Sequence, residues 1–424
     1  MKILLISANK ERFIEVTLPL GLALVAEAAR KAGHEVAFLD LMTCPDPGQA
    51  ARAHLETFRP DLVGISVRNI DDQKMRSTQF LLEPIRKLVR EMRQLSEAPI
   101  VLGGAGYSIY PEALLAYLGA DMGIQGEGEV AFPLLLDRLE KGLSLSGTPG
   151  LFLAGKGSQG DRVLAKSLDG FTLGEDLAGL ASAMRNEEIW FPYQTRRGCP
   201  MDCSYCSTAG VEGRPLRKRS PAIVAREIER LADRGIRRIH FVDNTFNVPD
   251  TYAREICAGL AALGTDLSWR CILYPRRMRE DLARAMAASG CVEVTLGFES
   301  GCEPILKGMN KRYRLDEVRE TSRLLRECGV RRLGMLMLGA PGETLDTVKE
   351  TLAFADSLDC ELIAVTTGIR IYPNTKLAEI ARREGVIGPD DDLLLPRFYL
   401  ARGLEQGLDE LLQAWASTRP NWVV

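Results

Sequence analysis

At 424 residues, with 46% hydrophobic and 26% charged residues and a formal net charge of -3, the chain has a globular composition with room for two or three domains. The charge gives no global signal for nucleic acid or a membrane surface, and no apolar run approaches the ~20 residues of a membrane helix. Met1-Lys2-Ile3-Leu4-Leu5-Ile6-Ser7 is too short for a signal peptide and reads as a first strand; ten irregularly spaced cysteines argue for reduced thiols and a cytoplasmic setting.

Residues 1 to about 140 alternate strand and helix patterns. Strands are expected at Ile3–Ala8, Val36–Asp40, Leu62–Ser66, Ile100–Gly103 and Met122–Gln125, with helices between them. In the first helix Leu22, Val25, Ala26, Ala29 and Ala32 recur at helical spacing, and Gly33 suits the position just past its end. Such alternation implies α/β architecture: a doubly wound, Rossmann-like parallel sheet with ligands at the carboxyl ends of the strands. Three glycine-bearing loops fall on that rim: Gly64-Ile65-Ser66, Gly103-Gly104-Ala105-Gly106 and Gly126-Glu127-Gly128-Glu129. They are either tight βα turns or places where backbone approaches a bulky ligand.

Together with Pro19-x-Gly21 and Pro111-Glu112, these loops resemble the cobalamin-binding domain that precedes many radical S-adenosylmethionine (SAM) domains. The resemblance implies a corrinoid domain over 1–141, with contacts from Pro19, Ser66, Gly103, Gly104, Gly126 and Glu127. The Asp-x-His-x-x-Gly motif whose histidine ligates cobalt in other cobalamin proteins is absent, since His34, His54 and His240 lack that context. Arg68 and Asn69 are candidates to cover the lower cobalt face; ordinary loop solvation is the alternative.

Residues 142–194 read as a connector in which Leu151–Leu153 and Val163–Ala165 could form a small hairpin around the turn signal Gly155–Asp161. A second strand–helix series spans 195–376. There Ser220-Pro221 opens a helix running to Gly235, with serine as N-cap. Further strands are expected at Arg238–Asp243, Leu267–Leu273, Val292–Phe298, Arg332–Leu338 and Glu361–Thr367. Six βα units suggest a partial (β/α)6 barrel of TIM type, with chemistry at its C-terminal rim. The tail 377–424, bearing Phe398, Tyr399, Trp415 and Trp422, reads as a cap.

The first strand of this series leads into Arg197-Gly198-Cys199-Pro200-Met201-Asp202-Cys203-Ser204-Tyr205-Cys206. Three thiolates at C-x3-C-x2-C spacing can hold three irons of a [4Fe–4S] cluster and leave the fourth open. A structural zinc would want a fourth Cys or His nearby, and the next thirty residues contain none. This spacing, with Tyr205 before the last cysteine, resembles the radical SAM superfamily, in which the open iron chelates SAM and an electron from the cluster cleaves it to a 5′-deoxyadenosyl radical.

The resemblance assigns further SAM contacts. Asp243, in Phe241-Val242-Asp243-Asn244, is suited to SAM's ammonium, though a strand-end Asp is also a common helix cap. Glu299, in Gly297-Phe298-Glu299-Ser300-Gly301, is similar to the residue that accepts from ribose hydroxyls. Lys311 or Arg312 is similar to the cation that pairs with SAM's carboxylate, and their adjacency leaves the choice open. Gly339, in Leu338-Gly339-Ala340-Pro341-Gly342-Glu343, resembles a strand end packed near adenine, after which Glu343 would open a helix; Tyr205 would lie by the adenine through its backbone. The basic run Arg214, Arg217, Lys218 and Arg219 reads as a solvated loop rather than a nucleic-acid patch. The seven remaining cysteines read as small buried hydrophobes.

The resemblance as a whole implies a cobalamin-dependent radical SAM enzyme whose cofactors are a [4Fe–4S] cluster, SAM and cobalamin, acting as a C-methyltransferase on an unactivated carbon of a small molecule, natural-product precursor or lipid precursor. Rearrangement, ring contraction or oxidative cyclisation without methyl transfer is the alternative. The implied partners are the substrate and an external one-electron reductant of flavodoxin or ferredoxin type. Methylthiolation of tRNA fits poorly, because the N-terminal region holds only Cys44. A non-catalytic carrier fits poorly with Asp243, Glu299 and Lys311/Arg312 present.

Overall fold

The computed structural model describes residues 1–11, 16–183 and 189–424. The chain forms two compact units: Met1–Asp72, Gln79–Ile189 and Ser207–Arg217 make the first; Gln73–Thr78, Trp190–Cys206 and Lys218–Val424 make the second.

The first unit is built on strands β1 (Lys2–Ser7), β2 (Glu35–Asp40), β3 (Leu62–Ser66), β4 (Ile100–Gly103), β5 (Met122–Ile124), β6 (Leu151–Leu153) and β7 (Gly157–Ser158). They lie in the order β2-β1-β3-β4-β5-β6-β7. The first five are parallel. Such strands are covered on both faces, which is why β1 is a continuous apolar run with Ile3, Leu4, Leu5 and Ile6 all buried. Helices α1 (Leu20–Lys31) and α6 (Gly128–Glu140) pack on one another, and Leu22, Ala26 and Ala29 meet Phe132, Leu135 and Leu136 in a core that includes Ile3, Leu5, Leu62 and Val101. Gly64 has a packing reason: a Cβ there would lie 2.5 Å from Leu5 Cδ2. Helices α2 (Pro47–Phe58), α3 (Leu82–Arg93), α4 (Ala105–Ile109), α5 (Pro111–Leu118) and α7 (Glu175–Ala183) complete the crossovers and flank.

Within the stretch expected as a connector, residues 184–188 lie outside the described ones. The hairpin forms, but Leu151–Leu153 pairs with Gly157–Ser158 rather than Val163–Ala165, because the chain reverses within Ala154–Lys156. It also pairs antiparallel with β5, so the first sheet absorbs it.

The second unit carries seven parallel strands in chain order: β8 (Phe191–Tyr193), β9 (Arg238–Phe241), β10 (Ser268–Leu273), β11 (Cys291–Glu299), β12 (Arg331–Leu338), β13 (Leu362–Thr367) and β14 (Trp422–Val423). The first six, with crossover helices, form the expected partial barrel. The tail supplies β14 beside β13 as well as the helix Leu408–Ala416, whose Trp415 meets Trp422 edge-on at 6.2 Å. Tyr193, Phe241, Phe246 and Trp269 form a buried aromatic core. Pro221 starts its helix in the first turn as expected; Ser220 sits at the N-cap but its hydroxyl makes no capping bond. Among the described residues no helix is long and apolar enough to cross a membrane.

Candidate functional site

In the first unit the informative rim lies where the strand order reverses, between β1 and β3. Gly104 turns the chain out of β4 with φ +99°, and a Cβ there would meet the Val67 carbonyl oxygen at 2.6 Å, so the position requires glycine. The Ser108 hydroxyl then ties two rim loops together, donating to Gly104 O at 2.9 Å and accepting the Gly126 N–H at 3.0 Å. Ser66 is half-buried at the end of β3, paired with Gly103. Pro19 stands at the N-cap of α1, its carbonyl accepting from Ala23 N–H at 3.0 Å.

A cavity of about 1160 Å³ opens in this unit, walled by Ala8, Asn9, Leu41, Arg68, Asn69 and Leu88 among others. Asn9 Nδ2 is buried and has no hydrogen-bond partner among the described residues. None of Pro19, Ser66, Gly103, Gly104 and Gly126 lines this cavity; of the expected corrinoid contacts it is walled by Arg68 and Asn69. An amide donor and a guanidinium on one wall suit a large ligand that carries amide and phosphate oxygens. Glu127 is otherwise engaged: its buried carboxylate accepts from the Arg217 guanidinium and, at 2.7 Å, from Ala165 N–H. These bonds tie the start of α6 to the segments that carry Ala165 and Arg217, so the side chain has a bracing role beside the corrinoid contact expected at this position. Arg217 is likewise buried and paired, not part of a solvated basic run. The segment holding it includes helix α8 (Thr208–Glu212), which packs on α4 and receives Arg162 on the Val211 carbonyl at 3.2 Å.

In the second unit the cysteine loop hangs from β8. Thr195 and Arg196, just after β8, donate backbone N–H groups to Asp243 Oδ1 at 2.8 and 3.0 Å, and the Thr195 hydroxyl donates to Oδ2 at 2.6 Å. Arg196 Nε adds an ion pair at 3.5 Å, with the two side chains 1% and 0% exposed. The guanidinium lies over the Phe246 and Tyr252 rings and donates to Val248 O at 2.5 Å. Both Asp243 oxygens hold the strand that leads to Cys199, a structural role beside the expected contact with SAM's ammonium.

The loop is braced again further on. Asn310 donates to Asp202 O at 2.9 Å, Ser204 N–H to Met309 O at 3.0 Å, and Leu377 N–H to Ser204 O at 2.8 Å. Cys199 is buried, Cys203 half-buried and Cys206 exposed. Burial pushes the Cys203 thiol up, opposed by the Lys311 ammonium nearby. Among the described residues no three His, Cys, Asp or Glu side chains converge on a single-ion site. Three cysteines on one short loop are a donor set that suits three irons of a [4Fe–4S] cluster.

The structure separates the adjacent cations that spacing left tied. Lys311 Nζ donates to Glu299 Oε1 at 3.0 Å, Tyr205 OH donates to the same oxygen at 3.0 Å, and the ammonium lies 5.3 Å from the Tyr205 ring centre. Burial alone would lower the Lys311 ammonium, but the Glu299 carboxylate and Cys203 raise it, so it stays charged. Arg312 turns the other way and donates to Asp202 Oδ1 at 2.6 Å. Burial acts to raise Asp202, yet the Arg312 and Asn310 bonds outweigh it and hold the carboxyl below its usual value. Tyr205 thus contributes its hydroxyl, not only backbone. Glu299 ends β11 at φ +61° beside a register shift in the pairing with β12, which aims its carboxylate at this cluster of side chains.

Gly339 lies at the end of β12, its N–H donated to Glu343 Oε2 at 2.5 Å; Ala340 N–H donates to the same oxygen at 3.0 Å. Glu343 does not open the next helix: Thr344 caps the helix Leu345–Ser357, and Glu343 folds back on the turn. Its buried carboxyl is pushed up to about 7, chiefly by burial. Arg196, Thr195, Asn9 and this role of Glu343 were missed in the sequence. Only the polar pair directly before Arg197-Gly198-Cys199 could have flagged the first two.

The radical SAM superfamily is matched over residues 193–355 and the B12 binding domain over residues 12–136. The chain belongs to the cobalamin-binding radical SAM enzymes, whose cofactors are a [4Fe–4S] cluster, SAM and cobalamin. Within that class it is 29% identical over 396 residues to an uncharacterized methyltransferase of Pyrococcus horikoshii, covering 90% of this chain and 83% of that one. It is 25% identical over 429 residues to the tryptophan 2-C-methyltransferase of Streptomyces laurentii, covering 85% and 71%. The solved radical SAM methyltransferase TsrM of Kitasatospora setae, with cobalamin and [4Fe-4S] cluster bound, superposes with a TM-score of 0.82 at 26% identity, over 92% of this chain and 76% of that one.

Proposed function

We propose that this enzyme is a C-methyltransferase acting on an unactivated carbon of a small molecule, in a cytoplasmic, low-oxygen setting. The observation that carries the reading is one chain holding a three-cysteine loop beside the Tyr205–Glu299–Lys311 set and, in its other unit, a cavity of about 1160 Å³ with an amide donor that has no partner among the described residues. The methyltransferase names of its relatives favour methyl transfer over rearrangement. When bound, the cluster with SAM supplies a 5′-deoxyadenosyl radical and the corrinoid a transferable methyl group.

In this reading Cys199, Cys203 and Cys206 ligate three irons. Lys311 holds the SAM carboxylate, exchanging Glu299 for it, and the released Glu299 accepts from the ribose hydroxyls. Tyr205 keeps Glu299 in place, and the Gly339–Ala340 turn, clamped by Glu343, receives the adenine. Asp243, Thr195 and Arg196 fix the loop's origin, and Arg312 fixes its middle through Asp202. In the first unit Gly103, Gly104 and Gly126 bring backbone close to the corrinoid, Ser66 and Pro19 line the same rim, and Asn9 bonds an amide or phosphate oxygen. Arg68 and Asn69 cover the lower cobalt face. The electron comes from a flavodoxin- or ferredoxin-type protein.

The test is anaerobic purification with reconstituted cluster and hydroxocobalamin. Corrinoid absorbance and 5′-deoxyadenosine release are expected, with a substrate mass gain of one methyl group. A turned-over product of unchanged carbon count overturns methyl transfer.

A further inference from the structure

We propose that the cationic groove beside the cysteine loop is the docking surface for the acidic protein that delivers the electron. This deepens, and rests on, the cluster assignment above. The groove is a cavity of about 670 Å³ in the second unit, lined by Arg276, Arg277, Lys307, Lys311, Arg312 and Arg314. Only two carboxylates, Glu303 and Glu317, line it, in a chain whose overall charge is negative. Both acids are engaged locally: Glu303 accepts from Leu315 N–H at 2.9 Å, and Glu317 accepts from Arg314 N–H at 2.9 Å and pairs with Arg277 at 3.8 Å. Arg314 pairs with Asp316, Lys311 with Glu299 and Arg312 with Asp202, so the surplus positive charge rests on Arg276 and Lys307.

Two features select a protein over a small anion. Arg277 and Arg314 stand on the rim, their side chains 80% and 74% exposed, so these heads spread into solvent instead of converging on a buried point, whereas Lys311 is buried against Glu299. Exposed charges of this kind steer an oppositely charged macromolecule and make its association salt-dependent, and add little grip on a single small ion. The groove also joins the cluster loop by a short path. Arg312 on its wall bonds Asp202, the residue before Cys203, and the neighbouring Asn310 side chain donates to the Asp202 carbonyl at 2.9 Å. A carrier seated here gives up one electron from its reduced flavin or iron–sulfur centre. The cluster gains that electron, and no atom changes hands.

The experiment uses the full-length holoenzyme with SAM, mixed anaerobically with reduced flavodoxin, and follows growth of the reduced-cluster EPR signal at low and high ionic strength. The double variant Arg277→Glu/Lys307→Glu leaves every proposed SAM and cluster contact untouched. Its reduction by flavodoxin is expected to slow by roughly tenfold or more at low salt and to lose its salt dependence, while dithionite reduces both proteins alike. Unchanged flavodoxin kinetics overturn the proposal. Equal slowing with dithionite also overturns it, because the groove would then act through the cluster or the fold. Competition by transfer RNA that depends on these residues, with carrier kinetics unaltered, reassigns the groove to nucleic acid. A wild-type protein with no dithionite-reducible signal overturns the cluster assignment itself, and the docking surface with it.

Discussion

The two rims solve ligand binding with opposite materials. That of the first unit is backbone, glycines and a serine tie, and the same unit holds a wide cavity with an amide donor that has no partner among the described residues. That of the barrel is side chain: buried acids and bases already matched in the free protein, as in Arg196 with Asp243 and Lys311 with Glu299. A neutral, roomy ligand needs access and a few donors. A charged one needs groups whose desolvation has been met before it arrives, since an isolated buried charge is costly. The first rim should therefore tolerate single side-chain losses, while the second should fail when one partner is removed.

The largest effect is expected from Cys203→Ala, which should abolish 5′-deoxyadenosine release while corrinoid absorbance stays nearly intact. Loss of both would break the separation of the rims. Next is Asp243→Ala, which strands the Arg196 guanidinium and removes the acceptor for two backbone N–H groups. It should cost about 3–5 kcal/mol in urea unfolding of the barrel, followed by fluorescence of Trp190, Trp269, Trp415 and Trp422, and should lower iron content per chain. Asp243→Asn should do less, as it keeps an acceptor oxygen.

Glu343 gives a pH test. Its carboxyl rises from an ordinary 4.5 to about 7 on folding, so the folded state binds a proton that the unfolded state has already lost. Its contribution to stability is therefore full below 4.5, falls as pH rises through that window and is level above about 7. Glu343→Gln should match wild type near the bottom of the window and exceed it by about 3 kcal/mol at the top, read as the difference in urea midpoints across pH. A constant difference across the window would show that the carboxyl is ionised throughout. The smallest effect belongs to Arg68→Ala, expected to weaken corrinoid binding by about tenfold or less and shift its absorbance bands. An unaltered spectrum would leave solvation as that residue's only work.

Where a feature is local, the sequence is readable. The parallel strands appear as apolar runs because both faces are covered, so β3 and β4 fall where expected. The cysteine loop is visible because its ligands lie within eight residues of chain. What stayed hidden depends on partners far along the chain. Asp243 reaches a threonine 48 residues away and Glu127 an arginine 90 residues away, and neither distance leaves a mark on local spacing. A strand-end acid looks available for a ligand in the sequence because its distant protein partner leaves no local trace. Lys311 and Arg312 show the converse, since two neighbours of one charge can be parted only by the direction each side chain takes.

The third cysteine ends the barrel's share of its stretch, and the next eleven residues, Ser207–Arg217, are owned by the other unit. No single cut of the polypeptide therefore yields two whole halves. An N-terminal fragment ending at the barrel's start would lack α8 and the arginine that neutralises Glu127. Swapping corrinoid modules between such enzymes should accordingly succeed only when this short return passage travels with the donor.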